Sequence, residues 1–335
     1  MEFIKSLVPR PIKELIFRSL KPLALVKAYF RDARRFSRSS SVFSHRGRKE
    51  NLRSLIAIDY HRIEKGLALP KPRKAFGIPV VTNLIILIEN YYESFGSDWT
   101  VQDALASLGD YFYRFQYEGS LRDLQDRFDR LKSKIELSSE FEDQKAIGIF
   151  EKEEHLKKLE FNFSKFYQAR HSVREFSGEK ISEDDLRESI CLAMRAPSVC
   201  NRQPWKVYGL NDEAKIRQLC QIQGGSKGFA PEINRLLAVC VDLSEFYLVG
   251  ERNECYVDGG IFLQSLLICL HAKGFGACPL NWCVSTRVDD EARRLLPIDD
   301  SHEIIALVAV GCLKEVTKFA RSERRPVEDV YLAVN

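Results

Sequence analysis

The run Arg170-His171-Ser172-Val173-Arg174-Glu175-Phe176, followed one helix later by Ala196-Pro197-Ser198-Val199-Cys200-Asn201-Arg202-Gln203-Pro204-Trp205, decides how this chain is read. Two arginines, a histidine and a hydroxyl this close together make a compact anion site, because guanidinium groups grip phosphate bidentately and a serine adds a donor. Short basic clusters are more often solvated faces, so the first run says little alone. The second is irregular, polar and bounded by prolines, and such a loop positions side-chain amides, here Asn201 and Gln203. Amides suit the edge of a flat heteroaromatic ring that carries both donors and acceptors.

Between and beyond these runs, Ser182-Glu183-Asp184-Asp185 is a capping box that opens a helix through Arg195. Strands are predicted over residues 205–210, 236–243 and 304–313, and helices over 212–220, 255–273 and 289–296. The strands are unpolarised apolar runs, which helices must cover on both faces, so the class is α/β or α+β with a central sheet. Upstream, residues 52–67, 80–95, 101–117, 121–137 and 141–159 carry helical periodicity with charged outer faces. Residues 12–35 read as a basic amphipathic helix broken by Pro22, and 38–48 as a Ser- and Arg-rich linker.

The two runs resemble the nitroreductase-like family of FMN-dependent oxidoreductases, in which Arg-Arg/His-Ser-x-Arg/Lys precedes Ala-Pro-Ser-x-x-Asn-x-Gln-Pro-Trp. Gly259-Gly260-Ile261 through Gly274-Phe275-Gly276-Ala277-Cys278-Pro279 is similar to the family's central helix and Gly-x-Gly turn. Val308-Ala309-Val310-Gly311 and Arg324-Arg325-Pro326-Val327-Glu328-Asp329-Val330 are similar to its last strand and closing basic motif. The resemblance covers about residues 164–332 and implies a central mixed sheet flanked by helices. It implies an FMN site in which Arg170, His171 and Ser172 hold the phosphate and ribityl end, Arg174 reaches the pyrimidine edge, and Arg324 with Arg325 closes on the phosphate. Pro197, Ser198, Asn201 and Gln203 would reach the flavin across a homodimer interface, and Pro279, Leu280 and Asn281 would lie against the ring.

The implied activity is reduction of a small organic acceptor by NAD(P)H through ping-pong hydride transfer. The cofactor carries the redox chemistry, so no catalytic side chain is assigned. A rival reading is a catalytically inactive ligand-binding or scaffold protein that has kept the fold. Trp282 stands where the family commonly has a small residue, which suggests contact with substrate, and Ser322 replaces a frequent lysine.

The domain reading is a basic arm and linker over 1–50, a helical domain over 51–163 and the FMN-binding domain over 164–335. The arm holds thirteen Lys or Arg against four acids, a net charge of +9, while the whole chain is only +4. Only the arm could therefore bind anionic lipid or nucleic acid by charge, and a nucleic-acid partner is not expected. Its functional reading is docking at a membrane surface or on a protein, against a helix simply packed on the body. In the helical domain, His61, Arg62 and Lys65 before Gly66, with the basic loop 70–74, are candidates for an anionic substrate, against a helix end with dipole-complementing cations. Fusion to such a domain suggests a dedicated role, in a surface-polysaccharide or secondary-metabolite pathway. All nine cysteines follow residue 190 without a Cys-x-x-Cys, so no metal site and a cytoplasmic location are expected.

Overall fold

The computed structural model describes residues 10–42, 48–69, 75–116, 118–135, 145–147, 161–226, 228–320, 324 and 326–334. The predicted helix over 141–159, the loop 70–74, Ser322 and Arg325 therefore lie outside the described residues, apart from 145–147. Four strands, β1 (Trp205–Leu210), β2 (Arg235–Asp242), β3 (Phe275–Asn281) and β4 (His302–Cys312), form one sheet in the order β1-β2-β4-β3. All three pairings are antiparallel, and the parallel component of the expected mixed sheet is one bridge between Ser172 and Ala277.

The central strands alternate between two cores, interrupted by one register shift where Val239 and Cys240 of β2 face Ala306 and Ile304 of β4. Leu236, Ala238, Cys240, Leu307 and Ala309 face one side, under α8 (Glu213–Gln223) and α10 (Thr286–Leu295). Leu237, Val239, Val308 and Val310 face the other, under α7 (Glu183–Ala193) and α9 (Glu254–Ala272). α9 is long and apolar enough to cross a membrane by length and composition, but it packs against the sheet as its central helix. It sits that close because of Gly259: a Cβ there would fall 2.6 Å from Ile305 and 2.8 Å from Val241.

β3 is a strand that periodicity does not reveal. Gly276 and Pro279 argue against a central strand, yet β3 is the edge strand of the sheet, paired in it with β4 and met on its outer side by the Ser172 bridge at Ala277, and proline is tolerated on such an edge.

Upstream, α2 (Lys49–Leu67), α3 (Ile78–Phe95) and α4 (Trp99–Arg114) bury Ile56, Leu84, Ile88, Leu108 and Tyr111 in a core of their own. α5 (Arg122–Lys134) is tied to α3 by the Arg127–Glu89 pair. The first helix, α1 (Arg10–Ser39), runs unbroken through Pro22, although an interior proline removes one amide donor and crowds the carbonyl four residues back. Its last turns dock on the α/β half. Phe36 is buried with Val241, Leu243 and Phe246. Arg31 bonds Asp289 at 2.8 Å and Asp290 at 2.5 Å, and Arg35 pairs with Glu303. Leu23, Val26, Tyr29 and Phe30 of the same helix remain exposed.

α2 also joins the two halves, because Asn51 Nδ2 donates to the Ser244 carbonyl at 2.6 Å. It lies against two short helical turns of the α/β half, 199–201 and 243–245.

Candidate functional site

After α6 (Phe163–Ala169) the chain enters the first sequence run in extended form and lies along β3. Val173 donates its N–H to the Ala277 carbonyl at 3.0 Å, beside the Ser172–Ala277 bridge. Gly276 permits this approach: a Cβ there would stand 2.9 Å from Val173 and 3.0 Å from Leu313. Gly276→Ala is expected to cost about 1–3 kcal/mol by overpacking. Urea unfolding measures this, and a cost below half a kilocalorie would show that Val173 moves aside freely.

The run thus delivers Arg170 and His171 to a cleft of about 260 Å³ whose apolar floor includes Val173, Ala277 and Leu313. The His171 ring stacks on Phe319, centroids 3.7 Å apart and planes 19° apart. His271, from the last turn of α9, lines the same cleft with its Nε2 on the Phe166 carbonyl at 3.0 Å. Burial, then the charges of Arg170, His271 and Arg324, hold the His171 imidazole below its ordinary range. The charge of Arg324 thus reaches His171 although about 150 residues separate them in sequence. Such a gathering of basic groups favours an anion. Lys314 at the rim is already paired with Glu232 at 3.1 Å.

Along β3 the remaining candidates divide. Pro279 and Asn281 alternate onto the Ala277 face, whereas the Leu280 side chain points into the opposite core, 6% exposed. Leu280 can thus offer the cleft only its backbone. Asn281 Oδ1 accepts from the Cys283 N–H at 3.2 Å. Burial pushes the Cys278 thiol up, opposed by the charge of exposed Arg174. Trp282 donates its indole N–H to Asp289 at 2.8 Å and packs against the core.

The second run forms a strained turn. Cys200, Asn201 and Gln203 have φ of 50°, 52° and 51°, a left-handed conformation rare outside glycine. Non-glycine residues held there cost on the order of 1–3 kcal/mol each and persist only where the surroundings over-determine them. Ser198 Oγ accepts the Gln203 N–H at 3.0 Å. The Asp258 carboxylate accepts the Val199 N–H at 3.2 and 3.3 Å, and burial pushes this acid up to about 6. Arg202, with its side chain fully buried, forks onto Glu251 at 2.8 and 3.2 Å.

This turn does not line the Arg170 cleft of its own chain. Pro197 is exposed, Ser198 and Asn201 are half-buried, and Gln203 opens onto a different cleft beside β1. Within one protomer the two sequence runs therefore stay apart.

Two of the helical-domain candidates are tied to acids of their own helix. His61 Nδ1 lies 3.2 Å from Glu64 and Arg62 bonds Asp59 at 3.0 Å, while Lys65 is exposed. Sequence reasoning missed His271, Thr317 and Phe319 at the Arg170 cleft. A lone histidine on the apolar helix α9 was the available signal for the first. The segment after β4 carries none.

The Nitroreductase family model matches residues 167–242. An NADH dehydrogenase of Thermus thermophilus is 29% identical over 194 residues, covering 49% of this chain and 91% of that protein. An iodotyrosine deiodinase of Thermotoga neapolitana is 30% identical over 129 residues, covering 33% of this chain and 68% of that protein. The crystal structure of a nitroreductase family protein from Streptococcus pneumoniae superposes with a TM-score of 0.45 at 20% identity, covering 52% of this chain and 100% of that one.

Proposed function

The chain belongs to the nitroreductase family through its C-terminal half, an assignment that makes it a flavin-type oxidoreductase, and on that basis we propose that it binds FMN and passes electrons from NAD(P)H to a small organic acceptor. The observation that carries this reading is that Arg170, His171 and His271 line one cleft with an apolar floor, with Arg324 near enough for its charge to act on His171.

These residues fit the cofactor. Arg170 and Arg324 supply permanent positive charge for a phosphate, and a phosphate beside His171 would restore the proton that its neighbours disfavour. Val173, Ala277 and Leu313 offer dry surface to a flat ring. Arg174, beside β3, is placed to donate to a ring edge, and Pro279 and Asn281 share the face that such a ring would lie against. Bound there, FMN supplies two-electron transfer between a nicotinamide and an acceptor. The protein's task is to hold, orient and shield, so a catalytic acid or base is not required.

One protomer's cleft, about 260 Å³, accommodates the phosphate end but not the whole three-ring mononucleotide. The active species we propose is therefore a cytoplasmic homodimer in which the strained turn of one protomer, through Pro197, Ser198 and Asn201, completes the cleft of the other. The strain supports this, because such backbone clusters at ligand clamps. The helical domain fits a dedicated acceptor better than a general one.

Purified protein is expected to be yellow and to bleach on anaerobic addition of NADH or NADPH. The double change Arg170→Ala and Ser172→Ala should lower retained FMN at least about tenfold, a loss of about 1.4 kcal/mol, with an unchanged unfolding midpoint. Colourless wild-type protein that takes up no added FMN overturns the reading and favours the non-catalytic alternative. Unaltered flavin content in the double variant overturns the phosphate assignment alone.

A further inference from the structure

A second cleft, of about 620 Å³, opens between the helical domain and the α/β half, and none of its cations serves the site described above. Its volume lies in the range of small-molecule sites. Arg53 and Trp99 come to it from α2 and α4, Lys206 and Trp205 from β1, and Leu186 and Met194 from the α7 region. We propose that this cleft binds a flat organic monoanion, an aromatic or similarly unsaturated carboxylate, with Arg53 and Lys206 on the carboxylate and the aromatic wall against the ring.

The first argument is an orphaned donor. The Arg53 Nε is buried without a hydrogen-bond partner among the described residues. The guanidinium lies 4.8 Å from the Trp99 ring centre, a cation–π contact that orients it while leaving its N–H groups for an acceptor. Buried unpaired donors are costly and rare, so an anionic acceptor drawn against this guanidinium at the cleft would offset a cost the protein otherwise carries.

The second argument is uncompensated charge. Arg53 and Lys206 have no ion-pair partner within 4.0 Å among the described residues. The acid whose charge they feel is Glu245, only 2% exposed, and burial pushes it up to about 8 in spite of Arg53, Lys206 and Arg202. A carboxyl held that high is a weak counter-charge for the two cations. Arg202 is already matched by Glu251. At the mouth, Glu183 is shared between Arg187 and Arg235 at 3.4 Å each.

The third argument is shape. Trp205 and Phe262 stack at 4.9 Å with planes 15° apart and, with Leu186, Ile190 and Met194, make the wall flat and apolar. A small inorganic anion would leave that wall wet, and a neutral aromatic would leave Arg53 unpaired. Two unpaired cations beside a flat apolar wall match a planar carboxylate carried on a ring.

The test titrates the full-length protein, with whatever flavin it carries, with 2-naphthoate by calorimetry. 2-Naphthamide controls for the charge and acetate for the ring. Naphthoate is expected to bind at least about tenfold tighter than either. Arg53→Met and Lys206→Met should each weaken it about tenfold, and Arg53→Lys, which keeps charge but loses the fork, should weaken it less than Arg53→Met. Flavin content should not change in any of them, which separates this site from the Arg170 cleft. Equal affinity for naphthoate and naphthamide overturns the proposal, as does binding lost in Arg170→Ala but kept in Arg53→Met. If Arg53→Met fails to fold, Lys206→Met and Arg53→Lys decide the same question.

Discussion

Arg202→Met is expected to remove about 3–5 kcal/mol of unfolding free energy, the usual cost of leaving one partner of a buried ion pair alone. The Arg202 side chain is 0% exposed, against 13% for its partner Glu251. It forks onto that carboxylate, sends its Nε to the Val199 carbonyl at 3.2 Å, and lies 5.2 Å from the Phe246 ring centre. Glu251 in turn accepts the backbone N–H groups of Tyr247 and Leu248. The pair thus fastens the strained turn to the start of α9. Its removal costs more than a contact, because Cys200, Asn201 and Gln203 keep positive φ only while the turn is clamped at both ends. Urea unfolding of wild type, Arg202→Met and Arg202→Lys measures the effect, with the lysine variant between the other two. A loss under 1 kcal/mol for methionine would mean that the turn is held by Ser198 and Asp258 alone.

Asp289→Ala is expected to cost about 3 kcal/mol, the low end for a broken buried pair, and to loosen α1. Its carboxylate, 6% exposed as a residue, accepts the Trp282 indole N–H at 2.8 Å, Arg293 Nε at 2.9 Å and Arg31 Nη2 at 2.8 Å. Alanine leaves a half-buried indole donor unpaired and a nearly buried Arg293 with only the Asp299 and His302 carbonyls. Burial alone would raise the Asp289 carboxyl, but its bonds to Trp282, Arg293 and Arg31 outweigh burial and hold it below the ordinary carboxylate range. A depressed carboxyl stabilises the fold above its unfolded value and loses that contribution as pH falls through the folded one. The wild-type and Asp289→Ala stabilities should therefore draw together as pH drops below about 4. Limited proteolysis should also cut the α1 region faster in the variant. Parallel stability curves from pH 7 to pH 3 would contradict the charged role of Asp289.

Much of the architecture is written in local pattern. The strands over β1, β2 and β4 stand out as apolar runs because both of their faces are buried, and the Ser182 cap marks the start of α7 by its own chemistry. Where residues obey tertiary neighbours, pattern fails. β3 contains Gly276 and Pro279 because one must admit Val173 and the other sits on an edge strand. Pro22 suggests a break in α1, and the helix continues through it.

The candidate site divides in the same way. The residue types of an anion cleft are visible in Arg170-His171-Ser172, and the amide-bearing turn is visible between its prolines. Their consequences depend on contacts that no spacing encodes. Trp282, which invites a role against substrate, gives its N–H to Asp289. Leu280 turns its side chain into the core by strand alternation alone. Arg202, silent inside its motif, becomes the clamp of the strained turn once Glu251 approaches from the start of α9.

Periodicity and capping act over a few residues, so most of the elements, the faces they bury and the basic, amide-rich pair of motifs follow from the order of residues alone. Packing was needed to bring the charge of Arg324 to His171, to hand the arm's Arg31 and Arg35 to acids of the α/β half, and to leave the Arg53 Nε buried without a hydrogen-bond partner. Charges select partners by distance in space, and in a folded chain that distance is set by packing far along the sequence.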